Sequence, residues 1–403
     1  MTDKQRVRLA VIGGRRGASF AMALQALQEQ AELTSVCDLS EGVLDKWRED
    51  YPGIRTFTSY EALLESDVCN AVFLATPLRL HARQAVEAMR ADKHVLSEVV
   101  AATTVDECWQ LIEMVEKTGK TYMLAENYCY MRPNMMVRNM ADQGVFGATV
   151  YAEGAYIHDC RELLFDDRDQ LTWRGELRRS ANGNTYPTHS LGPVAQWLGA
   201  VHGGRDRLVS VATWMSPTRA CELYAAERFG PDHPAAQKDF WCVGDSGSTL
   251  LQCESGAVIY LRVDWASARP HNMTHYVLQG TRAGYLSARR HHQREDNLIW
   301  IDGMSPGSSP SGKAEWEALE VYKDRYEHPY WREWGELAEQ AGHGGGDFFV
   351  LKDFFDAVLS GARPAIDVYD AVTWSSVFPL SALSVQRGSA PVDIPRFDAA
   401  SGE

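Results

Sequence analysis

The chain has no cysteines at Cys-X-X-Cys spacing; its eight cysteines are scattered along 403 residues. At this length that excludes a disulfide framework and fits reduced thiols in the cytoplasm. No run of about 18 apolar residues occurs, which excludes a membrane-spanning helix. No Lys/Arg-rich block stands out, and the net charge is −14. That balance argues against nucleic acid or an anionic membrane as the main partner. Residues 1–8 are polar and run straight into a strand-like segment with no apolar leader region, so no export signal is expected. His158, Cys160, His271 and the pair His291-His292 fit no tetrahedral Cys/His spacing, so no metal site is expected. No internal repeat is present.

What the chain does have is a globular composition, 45% hydrophobic and 23% charged, and a length that calls for two domains. Val7 to Ile12 is a short apolar run, followed by Gly13-Gly14-Arg15-Arg16-Gly17 and then a helical stretch, Phe20 to Leu27. Strand, glycine turn and helix in that order form a dinucleotide-binding front: glycine lets the backbone approach a pyrophosphate, and the helix start offers N–H donors. Two registers of the glycine motif are open. Either Gly13 leads, with Arg15 and Ala18 in the later glycine places, or Gly14 and Gly17 are the second and third glycines and Ile12 fills the first. Leu33 to Cys37 is a second strand ending in Asp38, about 25 residues beyond Gly13. An acidic side chain there suits the adenosine ribose hydroxyls and repels a 2′-phosphate, which favours NAD over NADP. Asp38 equally suits a cap for the helix from Ser40 onward. Arg15 and Arg16 are either phosphate ligands or solvated.

Further strands are expected at Ala71 to Ala75, Lys93 to Ser97 and Tyr122 to Ala125, with helices at Leu78 to Met89 and Val105 to Glu116 between them. Alternating strands and helices imply a doubly wound parallel sheet. Thr76, Pro77, Glu98, Glu126 and Asn127 then follow the strands' carboxyl ends, where such sheets bind ligands. Beyond Met140 the pattern turns to alternating strands: Thr149 to Ile157, Leu208 to Trp214, Ser248 to Cys253, Ala257 to Asp264 and Tyr276 to Gly280. This is an α/β domain with a large, mainly antiparallel open sheet, whose open face is a common place for subunit contact. The expected division is 1–127 for the NAD-binding domain and 128–403 for substrate binding and oligomerisation, as a homodimer or homotetramer. Residues 303–312 read as a Gly/Ser/Pro loop.

The chemical centre is expected in Asn182-Gly183-Asn184-Thr185-Tyr186-Pro187-Thr188-His189, just ahead of an apolar helical run, Val194 to Leu198. Tyr186 and His189 share a face if that turn is helical. A neutral imidazole takes a proton near neutral pH, and a phenol gives or relays one. The same two residues also suit a buried hydrogen-bonding aromatic and a helix-cap histidine. Trp173, Arg174, Arg178 and Arg179, with His158 and Arg161, form an aromatic, cationic segment. An aromatic face suits a sugar ring and an arginine fork suits a carboxylate, sulfate or sulfonate; pairing with Glu162, Asp166 and Asp167 is the competing arrangement.

Thr76-Pro77, His81 and Asp92-Lys93-His94-Val95-Leu96-Ser97-Glu98 resemble the nucleotide domain of the Gfo/Idh/MocA oxidoreductase family, over nearly the whole chain. The resemblance implies a Rossmann domain with bound NAD. His81 joins Gly13, Arg15, Arg16, Asp38, Thr76, Pro77, Glu98 and Asn127 in the expected cofactor set. Dehydrogenases of that family usually follow the fourth strand with Glu-Lys-Pro and carry an Asp four residues before the second-motif histidine. Here Glu98-Val99-Val100 and Thr185 stand instead. The pattern resembles a glycosidase branch, the NAD-dependent α-N-acetylgalactosaminidases and their cousins. Glu126-Asn127, Tyr156 with His158-Asp159, Tyr186-Pro187-Thr188-His189, His343-Gly344-Gly345 before Asp347, and the tail Pro364-Ala365-Ile366-Asp367 all match it.

By that resemblance Glu126, Tyr156, Tyr186 and His189 line the active site. A further tyrosine of the branch, after Arg-Pro, stands here as His271. The implied reaction is glycoside hydrolysis by transient oxidation at C3, loss of the C2 proton and the C1 substituent, water addition and re-reduction. His189 would handle the C3 hydroxyl proton, Tyr186 or Tyr156 the C2 proton, and Glu126 would orient the sugar or nicotinamide ribose. His158, Arg161, Trp173 and Arg174 would contact the sugar. One cousin group cleaves sulfoquinovosides inside the cell, so the expected substrate is a small glycoside, an anionic one included. A plain NAD-dependent sugar dehydrogenase and a non-catalytic NAD-binding regulator are the alternatives.

Overall fold

The computed structural model describes residues 6–270, 272–289, 296–307 and 313–398. Six strands, β1 (Val7–Ile12), β2 (Ala31–Cys37), β3 (Arg55–Phe57), β4 (Ala71–Leu74), β5 (His94–Ser97) and β6 (Tyr122–Leu124), form a parallel sheet in the order β3-β2-β1-β4-β5-β6. The order reverses beside β1, between β1 and β4, which is where doubly wound sheets open a ligand crevice. The central strands are apolar on both faces because helices cover both; every residue of β4 is buried. Of these six, β3 is the strand absent from the sequence reading. It is three residues long, lies at the sheet edge and is partly exposed, so it carries no apolar run to find.

Local chemistry sets the crossover helices. Val105–Thr118 starts on a capping box: the Thr104 hydroxyl accepts from the Glu107 N–H, and the Glu107 carboxylate accepts from the Thr104 N–H. Lys117 lies in its last turn, where the helix dipole favours a cation.

The chain divides into two compact units: Met1–Arg132 with Pro329–Ser376 and Arg396–Glu403, and Pro133–His328 with Val377–Pro395. A single cut at 127/128 therefore describes the sequence differently from the packing. The helix Gly346–Ser360 explains the return of the later segment to the first unit. Its Phe348, Phe349, Phe354 and Phe355 are fully buried, and it packs on the Asn127–Tyr130 turn and the helix Ala21–Ala26.

The second unit is built on nine strands in the order β14-β13-β12-β11-β7-β10-β9-β8-β15. They are β7 (Thr149–Ile157), β8 (Leu208–Met215), β9 (Ser246–Cys253), β10 (Val258–Asp264), β11 (Asn272–Gly280), β12 (Ala283–Leu286), β13 (Leu298–Ile301), β14 (Glu317–Ala318) and β15 (Val392–Asp393). All neighbours are antiparallel except β7 and β10. The helix Thr188–Leu198 lies on one face. Gly154 of β7 permits this, since a Cβ there would overlap the Ser190 carbonyl. The Tyr276 hydroxyl, from β11, donates to the His189 carbonyl at 2.6 Å and pins the first turn of that helix.

Candidate active site

In the first unit the glycine turn follows β1, and its packing shows where glycine is required. Gly13 has φ 93°, and a Cβ would lie 2.5 Å from the Ala75 carbonyl oxygen. A Cβ on Gly17 would strike the Val11 side chain of β1. Gly17 thus lets the helical segment lie close on the strand, the packing expected of a third glycine. Asp38 holds this turn: one carboxylate oxygen accepts from the Gly14 N–H at 2.8 Å and the other from the Ser40 N–H at 2.9 Å. Ser40, not Asp38, is the N-cap of the helix Glu41–Asp50, so Asp38 braces the approach to that helix, and each of its oxygens keeps a further lone pair. These features fit an adenosine diphosphate held on the turn.

The other expected cofactor residues fall into two kinds. Arg15 is exposed and lines a groove of about 890 Å³ with Ala18, Val43 and Trp47. Arg16 pairs with buried Glu98, its Nε and an Nη lying 2.7 Å and 2.6 Å from the same carboxylate oxygen. That partner is one the sequence did not suggest; the two expected cofactor ligands serve each other. Thr76 donates to Gln84 at 2.6 Å, and Pro77 leads a short helical turn, Leu78–Leu80. His81 is fully buried, with Nδ1 2.9 Å from the Val100 carbonyl and Nε2 2.8 Å from the Thr76 carbonyl. It ties together the loops after β4 and β5. Burial holds its pKa below the usual histidine value, against the pull of those carbonyls. Glu126 is buried, accepts from the Tyr128 N–H at 3.2 Å and caps the Asn127–Tyr130 turn. Asn127 donates through Nδ2 to buried Asp347 at 2.7 Å.

In the second unit three of the five expected catalytic side chains, Tyr156, Tyr186 and His189, come together. The Tyr156 ring lies 5.5 Å from Tyr186, 5.2 Å from His189 and 5.2 Å from His158, centre to centre. Tyr186 and His189 meet edge-on at 5.2 Å. The helix begins at Thr188 with Pro187 as its N-cap, so His189 is helical and Tyr186 is not; the two rings meet through the bend before the helix and do not share a helical face. Tyr156 and His158 alternate along β7 and its extension, so both rings leave the same face. His158 Nδ1 is 3.1 Å from Cys160 Sγ. Burial pushes the Cys160 thiol up to about 12. The sequence reading missed Trp265. Its ring lies 5.1 Å from Tyr186, and its buried indole N–H has no acceptor among the described residues. Its alternation with Val263 on β10, which pairs with Tyr156, was the available signal. His271 lies outside the described residues.

The cationic segment is largely committed. Arg161 makes a two-point pair with Asp159 at 2.9 Å and 2.7 Å, which holds that carboxyl below its usual range. Arg178 is buried and donates to the Val243 and Gly244 carbonyls. Arg179 lies over Phe240 and 3.7 Å from Glu176. Arg174 stacks on Trp173, 4.3 Å from the ring centre; among the described residues it is the arginine of this segment with no carboxylate partner. None of these pairs uses Glu162, Asp166 or Asp167, the partners the sequence suggested.

Comparison with known proteins gives a consistent result. Residues 130–401 match the family described as glycosyl hydrolase 109, C-terminal domain. Residues 7–126 match the oxidoreductase family NAD-binding Rossmann fold. The chain is 36% identical over 405 residues to a glycosyl hydrolase family 109 protein of Solibacter usitatus, covering 97% of this chain and 88% of that one. A Stenotrophomonas maltophilia protein of the same description is 33% identical over 425 residues, 98% and 90% of the two chains. Among solved structures, levoglucosan dehydrogenase in complex with NADH superposes with a TM-score of 0.76 at 19% identity, covering 97% and 100%. The WlbA dehydrogenase of Bordetella pertussis, in complex with NADH and UDP-GlcNAcA, gives 0.68 at 17%, covering 98% and 99%. At these identities the two structures speak for the fold.

Proposed function

The chain belongs to glycosyl hydrolase family 109 and is an NAD-dependent glycosidase, and from that premise we propose a route: C3 oxidation, C1 elimination, water addition and re-reduction. Bound NAD supplies a hydride acceptor that later gives the hydride back, so no cofactor is consumed. His189 takes the C3 hydroxyl proton and returns it at the end. A ketone at C3 acidifies the C2 proton, because the carbanion is stabilised as an enolate. Tyr186 or Tyr156 removes that proton as the C1 substituent leaves, and Glu126 orients the sugar or the nicotinamide ribose. Gly13, Gly14 and Asp38 hold the adenosine end.

The observation that supports this route is the packing of one imidazole and two phenols, ring centres 5.2 to 5.5 Å apart. A hydrolase working through an oxocarbenium ion would need a pair of carboxyl groups instead. In the second unit the nearby carboxylate of Asp159 is already bound by Arg161. Hydrolysis in deuterated water tests the route: one deuterium is expected at C2 of the released sugar by mass spectrometry, with no net NADH. Unlabelled sugar would overturn it, and steady NADH accumulation would favour a sugar dehydrogenase.

The substrate we propose is an anionic glycoside such as a sulfoquinovoside, with Arg174 on Trp173 as its recognition group. Chromogenic α- and β-glycosides with and without an anionic group should differ in kcat/KM by tenfold or more, the direction expected for one charge-assisted pair. Equal rates would exclude that class. Exposed Trp214 and Leu250, on one face of the second sheet, support a homo-oligomer. Eight cysteines scattered along the chain, with no Cys-X-X-Cys pair, suit a reducing compartment, the cytoplasm.

A further inference from the structure

The His343-Gly344-Gly345 segment and Asp347 have no role in the account above. In the first unit Asp347 is fully buried, and its two carboxylate oxygens have separate donors. Oδ1 accepts from Asn127 Nδ2 at 2.7 Å, and Oδ2 accepts from His343 Nδ1 at 2.8 Å. Burying a carboxylate costs several kcal/mol unless its lone pairs are met, and an apolar side chain would fill the same space without that cost.

The backbone around it is shaped for the contact. His343 has φ 51°, a left-handed conformation that costs a non-glycine residue on the order of 1 kcal/mol. A Cβ on Gly342 would strike the Asp347 carboxylate, and one on Gly346 would strike the Asn127 carbonyl oxygen.

A carboxamide is nearly symmetric in shape, and hydrogen bonding alone decides which end faces which way. An ionised carboxylate accepts and cannot donate, so it excludes the flipped amide. Asp347 therefore commits the Asn127 NH2 group to itself and turns the carboxamide oxygen the other way. That oxygen is buried and has no donor among the described residues. It stands just past β6, at the carboxyl end of the parallel sheet, where such sheets bind dinucleotides.

We propose that Asp347, steadied by His343, is a positioning residue that sets the Asn127 carboxamide oxygen as an acceptor for an O–H or N–H group of the bound dinucleotide. A ribose hydroxyl and the nicotinamide NH2 are the donors NAD offers. The inference rests on NAD binding by the first unit and is independent of the route of glycoside cleavage.

The test is a double-mutant cycle on NAD affinity, measured by equilibrium dialysis on the full-length protein without sugar. Asn127→Ala and Asp347→Asn are each expected to raise the Kd for NAD about tenfold, the size of one lost oriented hydrogen bond. Because Asp347 acts through Asn127, the double variant should bind no more weakly than Asn127→Ala alone. If Asp347→Asn does not fold, His343→Gly replaces it in the cycle. Glycine relieves the left-handed backbone, so a purely structural histidine predicts unchanged affinity, whereas the positioning role predicts a loss of about threefold that vanishes in the Asn127→Ala background. Additive effects, or an Asn127→Ala protein that binds NAD normally while its KM for sugar rises, would overturn the proposal.

Discussion

At the residue scale, His189 makes two kinds of contact that substitution can separate. Its carbonyl anchors Tyr276 while its ring sits among Tyr156 and Tyr186. His189→Ala should keep that backbone bond, so the thermal midpoint should move little while kcat falls on the order of 10³-fold or more. A variant with near-normal turnover would remove the imidazole from the reaction. Tyr276→Phe is the complement: it should lose about 1 kcal/mol of stability, the worth of one hydrogen bond, read from chemical denaturation. Two further histidines, His275 and His328, tie stability to pH. Burial, with Arg289, Arg262 and Arg269 for His275 and with Arg138 for His328, pushes each pKa from 6.5 down to about 4. The unfolded imidazoles take up protons first as pH falls, so stability is present above about 6.5 and is lost between about 6.5 and 4. The thermal midpoint should drop through that window, and replacing both histidines with Gln should flatten the drop.

Among elements, the helix Thr188–Leu198 and β7 decide whether the aromatic cluster exists. Gly154→Ala would drive a methyl group into the Ser190 carbonyl, costing roughly 1–3 kcal/mol. The helix start must shift to accommodate it, so kcat should fall with stability; a stable, fully active variant would show that the helix can move without disturbing His189. The sequence made much of this legible. β7 alternates, and its even positions supply Gly154 and Tyr156 to one face. Hydrogen-bond partners were hidden: nothing in the spacing of Arg16 and Glu98, 82 positions apart, or of Asn127 and Asp347, 220 apart, announces a contact. The short strands β3, β12, β13, β14 and β15 were missed because two to four residues carry too little period. Trp265 was overlooked for another reason, since a single aromatic at a strand end reads as ordinary core.

For the whole molecule, the outline followed from alternation of strand and helix up to Leu124 and of polar and apolar residues after Thr149, so both sheets could be anticipated. What alternation does not encode is that the first unit is assembled from separated stretches of chain. The helix Gly346–Ser360 brings four phenylalanines to it, more than 200 residues after β6. During synthesis, which proceeds from the amino terminus at roughly 5–20 residues per second, the parallel sheet and its crossover helices emerge early, with the apolar surface that those rings cover still exposed. Nascent chains stalled before residue 346 should accordingly be captured by chaperones, and the dinucleotide site would be among the last parts of the protein to mature even though most of its residues are the first to be made.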